Sequence, residues 1–94
     1  MFLEIVTPEA ILFSSEVNAI TLPGVNGEFQ ILNNHAAIVA NLSDGYIKID
    51  SSSSYVIPEK YEDKFVKNKE GKLLFEINSG TLEMNDNKAI VLAD

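Results

Sequence analysis

The sequence predicts an all-β protein, built as an antiparallel sandwich or barrel, and three observations support this. Apolar and polar residues alternate with a period of two in short segments from one end of the chain to the other. Each segment is bounded by residues typical of turns. No segment carries a helical apolar face of about 10 residues or more. A chain of 94 residues fits one compact domain, so these strands are expected to share one core.

The predicted strands follow one another at short intervals. In the first, Leu3 and Ile5 share one face, and Phe2, Glu4 and Val6 share the other. The later alternating apolar positions are Ile20 and Leu22, Phe29 and Ile31, Ile38 with Ala40 and Leu42, Ile47 and Ile49, Leu73 with Phe75 and Ile77, Leu82 and Met84, and Ile90 and Leu92. Many short strands at this spacing are typical of a sandwich or barrel.

Turn residues separate these strands. Asn26-Gly27 suits a tight hairpin turn because both residues tolerate positive φ, and Pro23-Gly24 also favours a turn. The other predicted turns are at Thr7-Pro8, Asp44-Gly45, Glu70-Gly71, Ser79-Gly80 and Asn85-Asp86-Asn87. Residues 50–72 interrupt the pattern with a serine run and five of the seven lysines. We expect an insertion or extended loop there, either a hairpin extension or a short helix begun at Pro58-Glu59.

Composition excludes several classes of function. Fourteen acidic residues against seven lysines give a net charge of −7, whereas nucleic-acid binding needs a basic surface. The N-terminal segment has no basic flank and two glutamates, unlike a signal peptide. No stretch approaches the roughly 20 apolar residues of a membrane helix. We therefore expect no direct membrane insertion, and any membrane association must come through a partner.

Few residues could carry catalysis. His35 is the single histidine and there is no cysteine, so the other ligands of a metal site would have to be carboxylates and water. Neither a GxSxG nucleophile elbow nor a GxxxxGK[ST] phosphate loop is present. We expect no catalytic, cofactor-binding or metal-binding residues and no small-molecule substrate. The residues by themselves indicate an all-β binding or structural module.

One run of residues is more specific. Residues 21–36 read TLPGVNGEFQILNNHA, which resembles the LPGxxGEFGILPxHAP signature of the epsilon subunits of F-type ATP synthases, called delta in mitochondria. The opening LEIVTPE at residues 3–9, LSDGYIKI at residues 42–49 and the final NKAIVLAD at residues 87–94 resemble other segments of that family in the same order. Together these matches run through the chain, apart from about residues 50–72.

The resemblance implies a fold and a role. It implies an antiparallel β-sandwich of two roughly five-stranded sheets as a single domain over residues 1–94, without the helical hairpin that follows the sandwich in many relatives. It implies a non-catalytic part of the central stalk that links the gamma subunit to the c-ring and couples proton flow to ATP synthesis. The implied location is the cytoplasmic face of the bacterial plasma membrane, as a peripheral part of the complex. A functional homo-oligomer is not expected.

The resemblance also implies contact residues. Glu28 stands at the glutamate of the family's GEF motif, beside the loop that faces the c-ring, with Gln30 and Asn33 flanking it. Positions that face gamma are matched by three residues here, Thr7, His35 and Ala40. Pro23, Gly24 and Gly27 are expected to shape the turn. Glu28 could instead be an ordinary turn carboxylate, and His35 could serve to fix the backbone of its loop. A stand-alone β-sandwich adaptor or ligand-binding module is the alternative function.

Overall fold

The computed structural model describes residues 1–51 and 57–94, and within these residues the chain is almost entirely β-structure. The described residues form ten strands and a short 3-10 helix. The strands are β1 Phe2–Val6, β2 Ile11–Glu16, β3 Ala19–Gly24, β4 Gly27–Leu32, β5 Ile38–Leu42, β6 Gly45–Asp50, β7 Phe65–Lys67, β8 Leu73–Ile77, β9 Gly80–Asn85 and β10 Lys88–Ala93, and the 3-10 helix is Glu59–Lys64.

The strands form a curled sheet whose two halves are the layers of a sandwich. The first layer has the order β2-β1-β10-β9-β5, and the second has the order β4-β3-β6-β8-β7. The layers are joined where Gly24 of β3 pairs with Leu42 of β5. These two halves correspond to the two roughly five-stranded sheets that the family resemblance implied. One pairing departs from the antiparallel expectation, because β1 runs parallel to β10.

The core forms where the inward faces of the two layers meet. Leu3 and Ile5 are fully buried, and Phe2, Glu4 and Val6 lie on the other face, which confirms the predicted alternation of the first strand. Ile20 and Leu22 of β3 are likewise fully buried. Among the described residues every buried side chain of the core is apolar. Burial of such side chains is worth about 1.5–3 kcal/mol each, so the core is the main source of stability.

In the last strand, β10, the alternating apolar residues of the sequence analysis lie on the outer face. In β10 the inward residues are Ala89, Val91 and Ala93, whereas Ile90 and Leu92 lie on the outer face. Since β10 is apolar on both faces, its pattern does not decide which set turns inward. Its position between β1 and β9 decides, because small side chains fit where two neighbouring strands already fill the core.

The hairpin between β3 and β4 turns one residue earlier than the sequence suggested. Val25 and Asn26 form the turn, and Gly24 pairs with Gly27 at its base. Gly27 has a φ of 121°, which favours glycine. Gly24 is restricted by space instead, since a Cβ there would lie 2.8 Å from the carbonyl oxygen of Gly27 and 2.8 Å from the ring of Phe29.

The described part of residues 50–72 belongs to the sandwich, and residues 52–56 lie outside the described residues. Pro58 precedes the 3-10 helix, and β7 then pairs with β8 as a hairpin. Tyr61 and Phe65 are buried. The ring of Phe65 stacks on Phe75 at a centroid distance of 4.9 Å and lies 6.2 Å from Phe13 of β2. This segment therefore closes the core between the two layers.

Candidate interaction surfaces

A cleft beside the β3–β4 turn brings several of the predicted site residues together. It has a volume of about 460 Å³, and its lining includes Gly24, Gly27, Glu28 and Ala40. The turn is held against β5, because the backbone N–H of Val25 donates to the carbonyl oxygen of Asn41 at 3.2 Å. A predicted ring contact and a predicted gamma contact thus lie at one cleft. The exposed side chains of Val25 and Val39 line the same cleft and add apolar surface.

Pro23 lies next to this turn, on β3. Its carbonyl oxygen accepts a hydrogen bond from the backbone N–H of Ser43 at 2.8 Å. Its ring lies against Gly45, where an added Cβ would come within 2.8 Å of the Cβ of Pro23. Pro23 therefore helps to pack the β3–β4 hairpin against the start of β6.

The three predicted ring contacts lie on β4 or directly after it. Glu28 and Gln30 are exposed and share the outward face of the strand, since they alternate with Phe29 and Ile31. Asn33 follows the far end of β4, about 17 Å from Glu28 along an extended chain. Its side-chain oxygen accepts a hydrogen bond from the amino group of Met1. Asn33 thus ties β4 to the first strand.

His35 lies on a loop that is fixed by hydrogen bonds within the protein. Its Nδ1 lies 2.7 Å from the carbonyl oxygen of Ala36, where it donates as N–H, and its backbone N–H donates to Leu32 at 3.2 Å. The preceding residue, Asn34, has a φ of 64°, and its N–H donates to the side-chain oxygen of Asn87 at 2.7 Å. His35 therefore shapes its own loop while its ring stays exposed.

Thr7 lies at the other end of the first layer from His35. It begins the β1–β2 turn, where its N–H donates to the carbonyl oxygen of Ala10 at 2.9 Å. Thr7 also lines a second cleft, of about 570 Å³, together with Asn41 and Leu92. A surface containing Thr7, Ala40 and His35 would therefore run along the whole length of β5.

The sequence interpretation missed an apolar row on the outer face of the first layer. Val6 of β1 pairs with Ile11 of β2 on one side and with Leu92 of β10 on the other. Ile11 and Leu92 are about half exposed, at 52% and 53%. The signal was present in the sequence, because β1 and β10 each carry apolar residues on both faces, but strand order was needed to place them side by side.

Two features are absent from the residues that the structure describes. No group of three or more His, Cys, Asp or Glu side chains among them could hold a metal ion. No helix in the described part of the chain is long and apolar enough to span a bilayer. What the described residues do present is exposed apolar side chains, a rigid turn and a polar strand face.

Known proteins that are similar to this chain belong to one family. The family model for the β-sandwich domain of the ATP synthase delta/epsilon chain matches residues 1–61. The ATP synthase epsilon chain of Chlorobaculum tepidum is 36% identical over 92 residues, which cover 98% of this chain and 86% of that one. The epsilon chain of Campylobacter curvus is 35% identical over 94 residues, which cover all of this chain and 60% of that one.

Solved structures share the fold. A chain of the Euglena gracilis mitochondrial ATP synthase, in a structure of OSCP, F1 and the c-ring, matches 97% of this chain and 48% of its own length, with a TM-score of 0.71 and 20% identity. A chain of the Tetrahymena thermophila central stalk and c-ring matches 99% of this chain and 62% of its own length, with a TM-score of 0.66 and 22% identity. The chain is a member of the ATP synthase delta/epsilon family and carries that family's β-sandwich domain.

Proposed function

We propose that this protein is the epsilon subunit of a rotary F-type ATP synthase, a non-catalytic part of the central stalk that links gamma to the c-ring. The observation that carries the proposal is the match to a protein named ATP synthase epsilon chain over 98% of this chain. In this role the subunit couples proton flow through the ring to ATP synthesis elsewhere in the complex. It acts through contact and stiffness.

The packing of the sandwich suits this mechanical task. The interior of a folded protein is packed as densely as an organic crystal and deforms little under load. The two layers are joined by the β3–β5 pairing at one side and by the Phe13–Phe65–Phe75 cluster at the other. Torque applied to one face is therefore passed to another face without large internal rearrangement.

We assign the ring contact to the outward face of β4. Glu28 and Gln30 are exposed side by side there, and they offer a carboxylate and an amide to polar or basic loops. Asn33 stays a predicted ring contact, and its side chain also accepts a hydrogen bond from Met1, which supports the end of β4. The contact is built on a strand, which positions side chains more rigidly than a loop does.

We assign the gamma contact to the side of the sandwich that carries β5. Thr7, Ala40 and His35 are distributed along this side, and a standard interface of about 800 Å² per partner is large enough to include all three. Because Ala40 and Glu28 line one cleft, the gamma and ring interfaces would meet at the β3–β4 turn. We further propose that the subunit lies peripherally at the cytoplasmic face of the membrane, held there by these partners.

A pull-down from detergent-solubilised native membranes tests this function. Tagged protein should recover gamma and c subunits together, and recovery of neither would refute the proposal. Glu28→Lys should reduce recovery of the c subunit if β4 faces the ring. Glu62→Lys is the matched control, because Glu62 is an exposed acid on the 3-10 helix, away from β4. Equal loss in both variants would contradict the assignment of Glu28.

A further inference from the structure

We infer that the outer face of the first layer is a docking surface for a protein segment with an apolar ridge flanked by lysine or arginine. This outer face consists of the outward-pointing residues of β2, β1, β10, β9 and β5. The inference deepens the proposed function, and it rests on that function only for the identity of the protein that carries the segment.

The first step is the continuity of the apolar row. Ile11, Val6 and Leu92 are direct cross-strand neighbours, so their side chains lie about 4.8 Å apart from strand to strand. The row is thus about 10 Å wide, close to the diameter of one α-helix. Isolated exposed apolar residues are normal on a protein surface, but a contiguous set marks an interaction site.

The second step is the shape beside the row. Val6 and Leu92 also line the cleft of about 570 Å³, which continues across Thr81 and Asn41. A cleft of this size can receive a cluster of side chains. The apolar row and the cleft beside it together form a strip, flat at the row and recessed at the cleft. Such a surface can anchor a helix by one or two large apolar residues.

The third step is the charge around the strip. In the adjacent row Glu4 pairs with Ile90, and Ile90 pairs with Glu83, so two carboxylates lie on either side of an apolar residue. Asp94 lines the cleft itself. Lys88 lies one row farther away, with its Nζ 5.7 Å from the ring centroid of Phe2. The border of the strip is therefore acidic, and it complements a basic partner.

The same charges argue against other occupants. A second copy of this chain would bring Glu4 and Glu83 against their own equivalents, and like charges in an interface are unfavourable. An anionic lipid surface would be repelled in the same way. Cross-strand apolar pairs also stabilise a sheet internally. Stabilisation of the sheet does not explain why Ile11 and Leu92 are about half exposed, whereas a docked segment would bury their exposed surface.

Two synthetic helical peptides provide the test. Both carry the same leucine ridge, one flanked by lysines and the other by glutamates, and each is titrated into the isotope-labelled chain by NMR. The lysine peptide should shift amides of β1, β10 and β9, and the glutamate peptide should not. Leu92→Ser should weaken the lysine peptide about tenfold or more, since burying a leucine is worth that factor. Val66→Ser, at an exposed apolar residue of β7, is the control and should leave binding unchanged.

Charge reversal gives a second readout. Glu83→Lys should weaken the lysine peptide and favour the glutamate peptide, by about two- to fivefold for an exposed pair. Equal binding of the two peptides, no shifts at millimolar peptide, or shifts confined to the second layer would overturn the inference. Ile11→Ser repeats the test on a different strand, should Leu92→Ser lower the melting temperature.

The membrane pull-down separates this inference from the proposed function. If Leu92→Ser recovers gamma and c subunits as well as the unaltered protein does, the function stands and the docking surface is wrong. If the unaltered protein recovers neither subunit but binds the lysine peptide on the outer face, the surface stands and the function is wrong. Loss of gamma alone from Leu92→Ser supports both.

Discussion

Replacing Phe65 by alanine should destabilise the whole domain. Phe65 is 9% exposed, stacks on Phe75 and lies beside Phe13 of the opposite layer. Phenylalanine-to-alanine changes in cores cost about 3–5 kcal/mol, and an aromatic pair adds about 0.5–1.5 kcal/mol beyond burial. Because Phe65 is at the edge of the core, we expect about 3–4 kcal/mol. A domain of 94 residues has roughly 5–14 kcal/mol in total, so the variant should fold but with little reserve.

Urea and thermal unfolding followed by circular dichroism measure this effect. At about 4–8 °C per kcal/mol for a domain of this size, the melting temperature should fall by roughly 12–30 °C. Val66→Ala is the matched control, since Val66 is the next residue of β7 and is exposed, so it should change stability by less than about 0.5 kcal/mol. If Phe65→Ala loses no more than Val66→Ala, this segment does not complete the core and our account of residues 57–72 is wrong.

Three further changes test local features by thermal unfolding. Asn87→Ala should cost about 1–2 kcal/mol, because it removes the acceptor for the Asn34 N–H and places alanine at a φ of 59°. Asn87→Asp keeps an acceptor oxygen and a side chain that tolerates this φ, so it should stay within about 0.5 kcal/mol. Equal losses in the two variants would contradict this. Gly24→Ala should cost about 1–3 kcal/mol through the clashes with the Gly27 carbonyl oxygen and the Phe29 ring, while Gly27→Ala should cost about 1–2 kcal/mol through backbone strain alone. A neutral Gly24→Ala would show that both the ring and the turn backbone move aside. Asn33→Ala should cost about 1 kcal/mol by removing one of the three contacts of the Met1 amino group, which Val17 and Glu16 also hold, and Asn33→Asp should not; no change in Asn33→Ala would show that this hydrogen bond adds nothing to stability.

Strand existence could be predicted because alternation in this chain is local and strong. In β6, for example, Ile47 and Ile49 alternate with Lys48 and Asp50, so one face of the strand is plainly the buried one. Hairpin turns were also recognisable from their residues. Asp86 and Asn87 both have positive φ, at 50° and 59°, and join β9 to β10 as a two-residue turn.

The inward face of β10 could not be predicted from its own residues. Residues 89–93 read AIVLA, which is apolar at every position, and the choice between the two faces depends on which strands lie beside it. The outer apolar row could not be predicted for the same reason, because Val6 and Ile11 belong to one hairpin but Leu92 belongs to a strand distant in sequence.

The candidate surfaces were predictable only in part. The family resemblance singled out Glu28 and Ala40 but assigned them to different partners, and the pairing of β3 with β5 brings them to one cleft. For Asn33 and His35 the sequence offered polar side chains in a loop. The hydrogen bonds that occupy them depend on Met1 and on the geometry of the loop backbone, which no local pattern reveals.

The parallel pairing of β1 with β10 has a consequence for folding during synthesis. Phe2 pairs with Lys88, so β1 lacks this neighbour until the strand 86 residues further along the chain has been made. At about 5–20 residues per second this delay is roughly 4–17 s, during which Leu3 and Ile5 lack a neighbour on one side. The nascent chain is therefore most exposed to premature association on the ribosome, and a chaperone that shields its first hairpin would act in that interval.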